Sequence, residues 1–220
     1  MFAVQKVIFD LDGTLIESAP DLYAATNHVL AHVGRPSVTL DQVRHMVGFG
    51  AKRLIELGLE ATGGLDDRDP ADLLPVFLDY YRAHIADDTH VFDGGVKMLE
   101  ALKAAGFSLA ICTNKPMTLT TPLLKALGIE QYFDAVTGGD SFSYKKPDPR
   151  HLTSTAAQMP GTGAFLMVGD SINDIAAAKA AGAPSVAVDF GYTDIPPHEL
   201  GANKVISSLS DLPPLLSFAG

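Results

Sequence analysis

The chain has 220 residues, 47% of them hydrophobic, which is enough for one large domain or for a domain that carries an insertion. Its 16 basic and 26 acidic residues give a net charge of −10, which excludes nucleic acid and anionic membranes as main partners. The single cysteine, Cys112, rules out an intramolecular disulfide and favours a reducing compartment. No stretch resembles a signal peptide or a membrane span, so we expect a cytoplasmic protein, either a monomer or a homodimer.

Five short apolar runs that end in polar residues indicate the strands of a parallel sheet. They are VIFDLD (7–12), LAICTN (109–114), AVTGGD (135–140), FLMVGD (165–170) and PSVAVD (184–189). Continuous apolar strands are typical of a sheet that helices cover on both faces. Helical segments lie between the runs, for example one at 93–106 with Asp93 as its N-cap and one at 115–128 that begins at Pro116. This alternation predicts an α/β fold with a Rossmann-like three-layer core.

Residues 16–88 interrupt the alternation with helical segments only, at 19–34, 39–50 and 69–88. Thr39 and Gln42 have the spacing of a capping box, and the pair Asp69-Pro70 is a helix start signal. We therefore predict a core domain from residues 1–15 and 89–220 and an inserted all-helical cap domain from residues 16–88. Glycines near 13 and 94 would provide hinges between the two domains.

The first apolar run places Asp10 and Asp12 two positions apart. In extended backbone these side chains point to the same side of the chain, so their charges crowd. At ~5 to 7 Å and an effective dielectric constant of ~20, their repulsion amounts to roughly 2 to 3 kcal/mol. A bound cation would compensate for this repulsion.

The polar residues that follow the predicted strands form one predicted site, because ligands of open α/β sheets bind outside the carboxyl ends of the strands. The set is Asp10, Asp12, Thr113, Asn114, Lys146, Asp170 and Asp174. Carboxylates with a threonine and a lysine suit a hard cation such as Mg²⁺ together with a phosphate group. One carboxylate can attack phosphorus, while a second protonates the leaving oxygen and then activates water. The hydroxyl and ammonium groups would neutralise charge on the transferring oxygens.

Four segments, DLDGT, TN, KP and GDSIND, stand in the order and spacing of the four motifs of the haloacid dehalogenase-like phosphohydrolases, which the whole chain resembles. The resemblance implies that Asp10 is the nucleophile and that Asp12 is the general acid/base. It also implies a Mg²⁺ site made by Asp10, by the backbone carbonyl of Asp12, and by Asp170 and Asp174 directly or through water. The phosphate-binding positions of the family correspond to Thr113, Asn114 and Lys146.

Longer segments in both predicted domains resemble one family within this group, the bacterial phosphoglycolate phosphatases. They include DLDGTLIESAPDLYAATN, VGFGAKRLI, GGDSFSYKKPDP and FGYTDIP. Asp12 is absent from the dehalogenases, so its presence implies phosphorus rather than halide chemistry. Glu17 stands where the family motif usually has Asp, and Phe49 stands where a polar residue is common. Both departures bear on the choice of leaving group and leave the chemistry unchanged.

The cap segment VGFGAKRL offers a second anion site. Gly48 and Gly50 leave backbone amides bare at a helix start, and Lys52 and Arg53 follow within one turn. This arrangement would suit a substrate with a carboxylate opposite its phosphate, such as 2-phosphoglycolate. There is an alternative interpretation of each pair. The glycines can mark the end of one helix and the start of the next, and the two cations can lie on a solvated helix face.

Together these features predict a Mg²⁺-dependent phosphomonoesterase for a small phosphate ester, first of all 2-phosphoglycolate. Within the same fold the alternatives are a phosphatase for a sugar phosphate or N-acetylmuramate 6-phosphate, and a sugar-phosphate mutase. A signalling receiver that stores phosphate on an aspartate is an alternative from another class. The second carboxylate, Asp12, and the helical insertion oppose that alternative.

Overall fold

The structure is a computed structural model that describes residues 1–218. Its strands are β1 Phe2–Val4, β2 Lys6–Phe9, β3 Ile16–Glu17, β4 His90–Val91, β5 Ser108–Cys112, β6 Ala135–Thr137, β7 Phe165–Gly169, β8 Ser185–Val188, β9 Lys204–Ile206 and β10 Leu216–Phe218. Its α-helices are α1 Ala19–His32, α2 Leu40–Arg44, α3 Ala51–Ala61, α4 Pro70–Ala83, α5 Gly95–Ala104, α6 Met117–Ala126, α7 Pro149–Gln158 and α8 Ile172–Ala180. Short 3-10 helices cover Glu130–Tyr132, Pro197–Glu199, Leu209–Asp211 and Pro213–Leu215.

Six strands form the central sheet in the order β6-β5-β2-β7-β8-β9, and every neighbouring pair is parallel. β2 lies in the middle, where Lys6 pairs with Ser108 of β5 on one side and with Phe165 of β7 on the other. Because all strands run the same way, their carboxyl ends meet at one edge of the sheet. The residues that follow β2, β5 and β7 are therefore neighbours in space.

The two faces of the sheet support two separate apolar layers, since successive side chains of a strand point to opposite faces. In β2, Val7 and Phe9 belong to one hydrophobic cluster, whereas Ile8 between them belongs to the other. α5 and α6 cover the first face with side chains such as Met98 and Leu123. α7 and α8 cover the second face with Leu152, Ala177 and their neighbours. This arrangement confirms the predicted α/β fold with three layers.

The four helices α1–α4 pack around a further hydrophobic cluster, which contains Val29, Ile55, Leu59 and Phe77 and which Leu119 of α6 joins from the core. They form the helical insertion, or cap, that follows the first strand of the central sheet. The chain enters the cap through β3 and leaves it through β4, which pair antiparallel with Ile16 opposite Val91. The two connections therefore run side by side between the core and the cap.

Local start signals explain where several helices begin. Thr39 accepts a hydrogen bond from the Gln42 amide, and the Gln42 side chain accepts one from the Thr39 amide, so the predicted capping box is confirmed. Asp69 caps α4 as predicted, through its bond to the Ala71 amide. The prediction of Asp93 as the N-cap of α5 is wrong, because Gly94 occupies that position with φ +80°. Glycine suits this left-handed conformation because it has no Cβ.

Within residues 1–218, no helix combines the length and apolarity that crossing a membrane requires.

Candidate active site

Three sequence-predicted site residues follow neighbouring strands of the central sheet at their carboxyl ends. Asp10 comes after β2, Thr113 after β5 and Asp170 after β7. The Asp10 amide still donates to the carbonyl of Val168 over 2.9 Å, so the sheet holds this aspartate in place. The topology therefore brings together residues that are up to 160 positions apart in the sequence.

Lys146 lies between two of the carboxylates and is almost fully buried, with 2% of its surface exposed. Its Nζ atom lies 2.8 Å from Asp10 Oδ1 and 2.7 Å from Asp174 Oδ1. Burial alone would lower the pKa of Lys146, but the carboxylates of Asp10 and Asp174 outweigh burial and raise the pKa. The side chain is therefore a fixed positive charge beside Asp10.

Asp170, which follows the neighbouring strand β7, is buried and closely surrounded. Thr14 Oγ1 donates to its Oδ1 over 2.8 Å, and the Tyr192 amide donates to its Oδ2 over 2.9 Å. A Cβ atom at Gly13 would lie 2.6 Å from Asp170 Oδ2, and one at Gly191 would lie 2.2 Å from Asp170 Cβ, so both positions require glycine. Burial, followed by the charges of Asp174 and Asp10, raises the pKa of Asp170 to about 8.

Asp10, Asp170 and Asp174 could hold a metal ion together, because each offers a carboxylate oxygen and these oxygens lie within 4.8 Å of one another. Oδ1 of Asp10 is buried and faces the Lys146 ammonium at 2.8 Å. Burial is the main reason why the pKa of Asp10 is raised to about 6, while Lys146 lowers it and Asp174 raises it further. A hard divalent cation fits this all-oxygen donor set and would relieve the crowding of negative charge.

The Asp12 side chain does not belong to that carboxylate cluster. Its carboxylate accepts a hydrogen bond from Ser18 Oγ over 2.6 Å and lies 2.9 and 3.1 Å from Lys115 Nζ. The predicted contact of Asp12 with a metal ion involves its backbone carbonyl, which this side-chain position leaves unaffected. Asp12 lines the cavity between core and cap.

Sequence analysis missed Lys115, which is buried at 7% exposure and contacts both domains. Besides Asp12 it contacts Tyr81 of α4, whose hydroxyl lies 2.9 Å from Lys115 Nζ. Burial would lower the pKa of Lys115, but Asp12 and Tyr81 outweigh burial and raise it. The only signal in the sequence is its position directly after the TN motif.

Thr113 and Asn114, the other two predicted phosphate-binding residues besides Lys146, line the same cavity as Asp10. Thr113 Oγ1 accepts a hydrogen bond from the Lys115 amide over 3.1 Å. Asn114 Nδ2 donates to the Lys146 carbonyl over 3.1 Å and to the Gly48 carbonyl of the cap over 3.4 Å. Oδ1 of Asn114 is buried without a hydrogen-bond partner. Both side chains line a cavity between core and cap.

That cavity has a polar floor and a mainly apolar roof. The floor contains Asp10, Asp12, Thr113, Asn114, Lys115, Lys146 and Asp174. The cap supplies the apolar side chains Leu22, Met46, Val47, Leu54 and Phe77, the hydroxyl-bearing Tyr81, and Gly48 and Gly50. The two glycines have φ values of +99° and +95°, and α3 begins at Ala51 directly after them.

Lys52 and Arg53 do not line this cavity among the residues described. Lys52 is exposed and lies 3.2 Å from Asp69, and Arg53 forms ion pairs with Glu56 at 2.7 Å and Glu60 at 3.4 Å. The structure therefore brings the predicted cap glycines to the site but not the two predicted cap cations.

Comparison with known proteins matches this fold and site to one family. The model of the haloacid dehalogenase-like hydrolases matches residues 7–188. The chain belongs to this family. It is 44% identical over 212 residues to the phosphoglycolate phosphatase of Agrobacterium fabrum, and the alignment covers 95% of this chain and 91% of the relative. It is 45% identical over 209 residues to the phosphoglycolate phosphatase of Caulobacter vibrioides, with 94% and 88% covered.

Solved structures of haloacid dehalogenase-like proteins share the whole architecture. A crystal structure described as a predicted phosphoglycolate phosphatase from Haemophilus somnus superposes with a TM-score of 0.89 at 30% identity. The superposition covers 98% of this chain and 99% of the chain in the crystal structure. CbbY from Rhodobacter sphaeroides, solved in complex with phosphate, gives a TM-score of 0.78 at 25% identity, with 95% and 96% covered. The predicted family and the predicted enzyme class, a phosphoric monoester hydrolase, are confirmed.

Proposed function

We propose that this chain is a Mg²⁺-dependent phosphomonoesterase that hydrolyses 2-phosphoglycolate to glycolate and phosphate through an aspartyl-phosphate on Asp10. The observation that carries this proposal is the position of Asp10 at the floor of the cavity. Its carboxylate faces the buried Lys146 ammonium at 2.8 Å and shares a carboxylate cluster with Asp170 and Asp174. A nucleophile, a fixed cation and a candidate metal site thus meet at one point.

In the first half-reaction, an oxygen of Asp10 attacks phosphorus and the bond from phosphorus to the glycolate oxygen breaks. Asp12 protonates that leaving oxygen, because an alkoxide is a poor leaving group. Lys146 and the Thr113 hydroxyl neutralise charge on the oxygens of the transferring group, which is the main task of a protein in phosphoryl transfer. The products of this step are glycolate and the phosphorylated Asp10.

In the second half-reaction, Asp12 takes a proton from a water molecule, which attacks the phosphorus of the aspartyl-phosphate. The bond between phosphorus and the Asp10 oxygen breaks, and inorganic phosphate leaves with Asp10 restored as a carboxylate. The contacts of Asp12 with Ser18 and Lys115 support this role, because they hold its carboxylate away from the metal cluster. Asp12 therefore serves as acid first and as base afterwards.

Asp10, Asp170 and Asp174 would hold Mg²⁺, with the Asp12 backbone carbonyl as a further oxygen ligand. When bound, Mg²⁺ supplies positive charge that stabilises the phosphate oxygens and the crowded carboxylates. The close approach of the Asp10, Asp170 and Asp174 oxygens and the raised pKa of Asp170 support a cation here.

Two findings support 2-phosphoglycolate as the substrate. The relatives from Agrobacterium fabrum and Caulobacter vibrioides, which align with nearly the whole chain, carry the name phosphoglycolate phosphatase. The cavity roof offers mainly apolar side chains, so a sugar ring with many hydroxyl groups would find few side-chain hydrogen-bond partners there. The apolar side chains of the roof also limit the access of bulk water to the phosphorylated aspartate.

The test is a set of initial rates with Mg²⁺ on 2-phosphoglycolate, hexose phosphates, N-acetylmuramate 6-phosphate and nucleotides. We expect many turnovers per chain and a kcat/KM for 2-phosphoglycolate at least about tenfold above every other substrate, which corresponds to about 1.4 kcal/mol of transition-state preference. Preference for a sugar phosphate, or product formation that stops at one phosphoryl group per chain, would overturn the proposal.

A further inference from the structure

We propose that Lys115 and Tyr81 together form the subsite for the substrate's carboxylate, so that Lys115 determines the specificity for 2-phosphoglycolate. This inference rests on the proposed function and adds the chemistry that selects the substrate. Its geometric basis is one contact between domains, in which Lys115 Nζ of the core lies 2.9 Å from the Tyr81 hydroxyl of the cap.

The distribution of positive charge in the cavity favours Lys115. Among the described residues that line the cavity, the cationic side chains are Lys115 and Lys146. Lys146 is already placed between Asp10 and Asp174, where the phosphate of the substrate would bind. A second anionic group of a small substrate therefore finds its cation in Lys115, because Lys52 and Arg53 form ion pairs outside the cavity.

The hydrogen-bonding capacity of the two side chains fits a carboxylate. An ammonium group has three N–H donors. Lys115 Nζ contacts both oxygens of Asp12, at 2.9 and 3.1 Å, and the Tyr81 hydroxyl at 2.9 Å, so an oxygen of the ligand would replace the longer of the two contacts with Asp12. Since the Tyr81 oxygen accepts from Lys115, its own O–H can donate to a second oxygen of the ligand. The pair thus offers two donors to the two oxygens of one carboxylate.

The surroundings of this pair increase its selectivity. Lys115 and Tyr81 are buried, at 7% and 0% exposure, and Leu22, Leu54 and Phe77 supply an apolar wall of the same cavity. Charge-assisted hydrogen bonds are stronger in such an environment than in water. A neutral group in place of the carboxylate would offer the buried ammonium no charge-assisted hydrogen bond, so it would bind more weakly than the carboxylate.

The experiment compares a ligand that carries the carboxylate with an analogue that has an uncharged group in its place. 3-Phosphonopropanoate has a methylene group in place of the bridging oxygen of 2-phosphoglycolate, and propylphosphonate replaces the carboxylate with a methyl group. Calorimetric titration with Mg²⁺ present gives the ratio of their two dissociation constants. Rates with 2-phosphoglycolate and 2-hydroxyethyl phosphate give the corresponding ratio of kcat/KM.

Both ratios are measured for the unmodified chain and for K115M, K115R, Y81F, K52M and K125M. Lys125 is the matched control, an exposed lysine in the last turn of α6. We expect the unmodified chain to favour the carboxylate ligand by at least about 30-fold and K115M to reduce this ratio to about threefold or less. K115R should restore most of the ratio, Y81F should lower it in part, and K125M should leave it unchanged.

The ratio separates specificity from damage to Asp12, because a change in Asp12 affects the turnover of both substrates alike. This inference would be overturned if K115M kept the full preference for the carboxylate ligand, or if K52M lost that preference instead. The proposed function would still stand in either case, provided that the unmodified chain turns over 2-phosphoglycolate. If the unmodified chain turns over 2-phosphoglycolate but does not favour the carboxylate ligand, the subsite is also rejected. Failure of the unmodified chain in the substrate panel would reject the proposed function itself. If K115M does not fold, K115R and Y81F decide through the same ratios.

Discussion

The hydroxyl of Tyr192 donates a hydrogen bond to Oε1 of Glu17 over 2.6 Å and thereby joins the segment after β8 to the entrance of the cap. The same hydroxyl oxygen accepts from the Ser18 amide over 2.8 Å. The other carboxylate oxygen of Glu17 accepts from Arg44 of α2 over 2.9 Å. The orientation of the cap is therefore tied to the segment that also donates to Asp170 through the Tyr192 amide.

Replacement of Tyr192 by phenylalanine should lower the free energy of unfolding by about 1 to 3 kcal/mol, because buried partners of the hydroxyl lose their hydrogen bonds. Urea unfolding monitored by fluorescence or circular dichroism measures this change. The control is Y132F, since Tyr132 is only partly buried and its hydroxyl donates to Glu100 over 3.2 Å in an exposed hydrogen bond. Equal changes in the two variants would contradict the role assigned to the Tyr192 hydroxyl.

The K146M variant should lose most of its activity, because Lys146 is the fixed cation beside Asp10. Loss of such an electrostatic group typically lowers kcat by about 10²- to 10³-fold. Removal of one partner from this buried cluster should also destabilise the chain by about 3 to 5 kcal/mol. Steady-state rates and urea unfolding measure the two effects.

The neighbouring Lys145 provides the matched control, because it is exposed whereas Lys146 is buried. K145M should therefore keep kcat within about twofold and stability within about 0.5 kcal/mol of the unmodified chain. A large loss of activity in K145M would show that the two lysines have been assigned the wrong way round.

The D170N variant should require more Mg²⁺, because an amide replaces one charged oxygen ligand of the proposed site. We expect the half-saturating Mg²⁺ concentration for turnover to rise about tenfold or more. A Mg²⁺ titration of the initial rate measures this, with D189N as a control in which an exposed carboxylate outside the cluster is removed. An unchanged Mg²⁺ requirement in D170N would exclude Asp170 as a ligand.

The affinity for Mg²⁺ should fall as the pH is lowered from about 8 to about 6. Burial and the neighbouring carboxylates raise the pKa of Asp170 to about 8, and burial raises that of Asp10 to about 6. Both groups must lose their protons to bind a cation, so protonation in this pH range competes with Mg²⁺. Binding titrations at several pH values should show weaker binding and greater proton release toward the lower end. A constant affinity across this range would contradict the crowding of these carboxylates.

The sheet and the site at its edge could be predicted because local patterns determine them. A continuous apolar run that ends in a polar residue identifies a buried parallel strand, and the common direction of such strands places their ends together. Asp10, Thr113 and Asp170 followed from this reasoning without any distance information. The capping box of Thr39 and Gln42 could likewise be read from spacing alone.

The contacts between core and cap could not be predicted, because they join distant segments whose relative orientation is set by packing. Lys115 directly follows a motif residue, and nothing in the sequence around it indicates that it is buried. Its buried position depends on contacts with Asp12 and with Tyr81, which lies 34 positions away. The bond from Tyr192 to Glu17 spans 175 positions in the same way.

The placement of Lys52 and Arg53 illustrates a signal that was present in the sequence. Leu54, Ile55 and Leu59 form the buried face of α3, as helical periodicity requires. Lys52 and Arg53 come before these residues in the sequence and lie on the more exposed side of the helix, where they form ion pairs with acidic residues. Helical periodicity is therefore a better guide here than adjacency to the glycines.

The most direct test of the central claim is to look for the phosphoryl group on Asp10 during turnover. The chain is mixed with 2-phosphoglycolate and Mg²⁺, quenched in acid within one turnover, and digested for peptide mass analysis, with D10N as the control. We predict a mass gain of one phosphoryl group on the peptide that contains Asp10, and no multiple turnover in D10N although it keeps its fold. A phosphoryl group on another residue, or multiple turnover by D10N, would contradict the account.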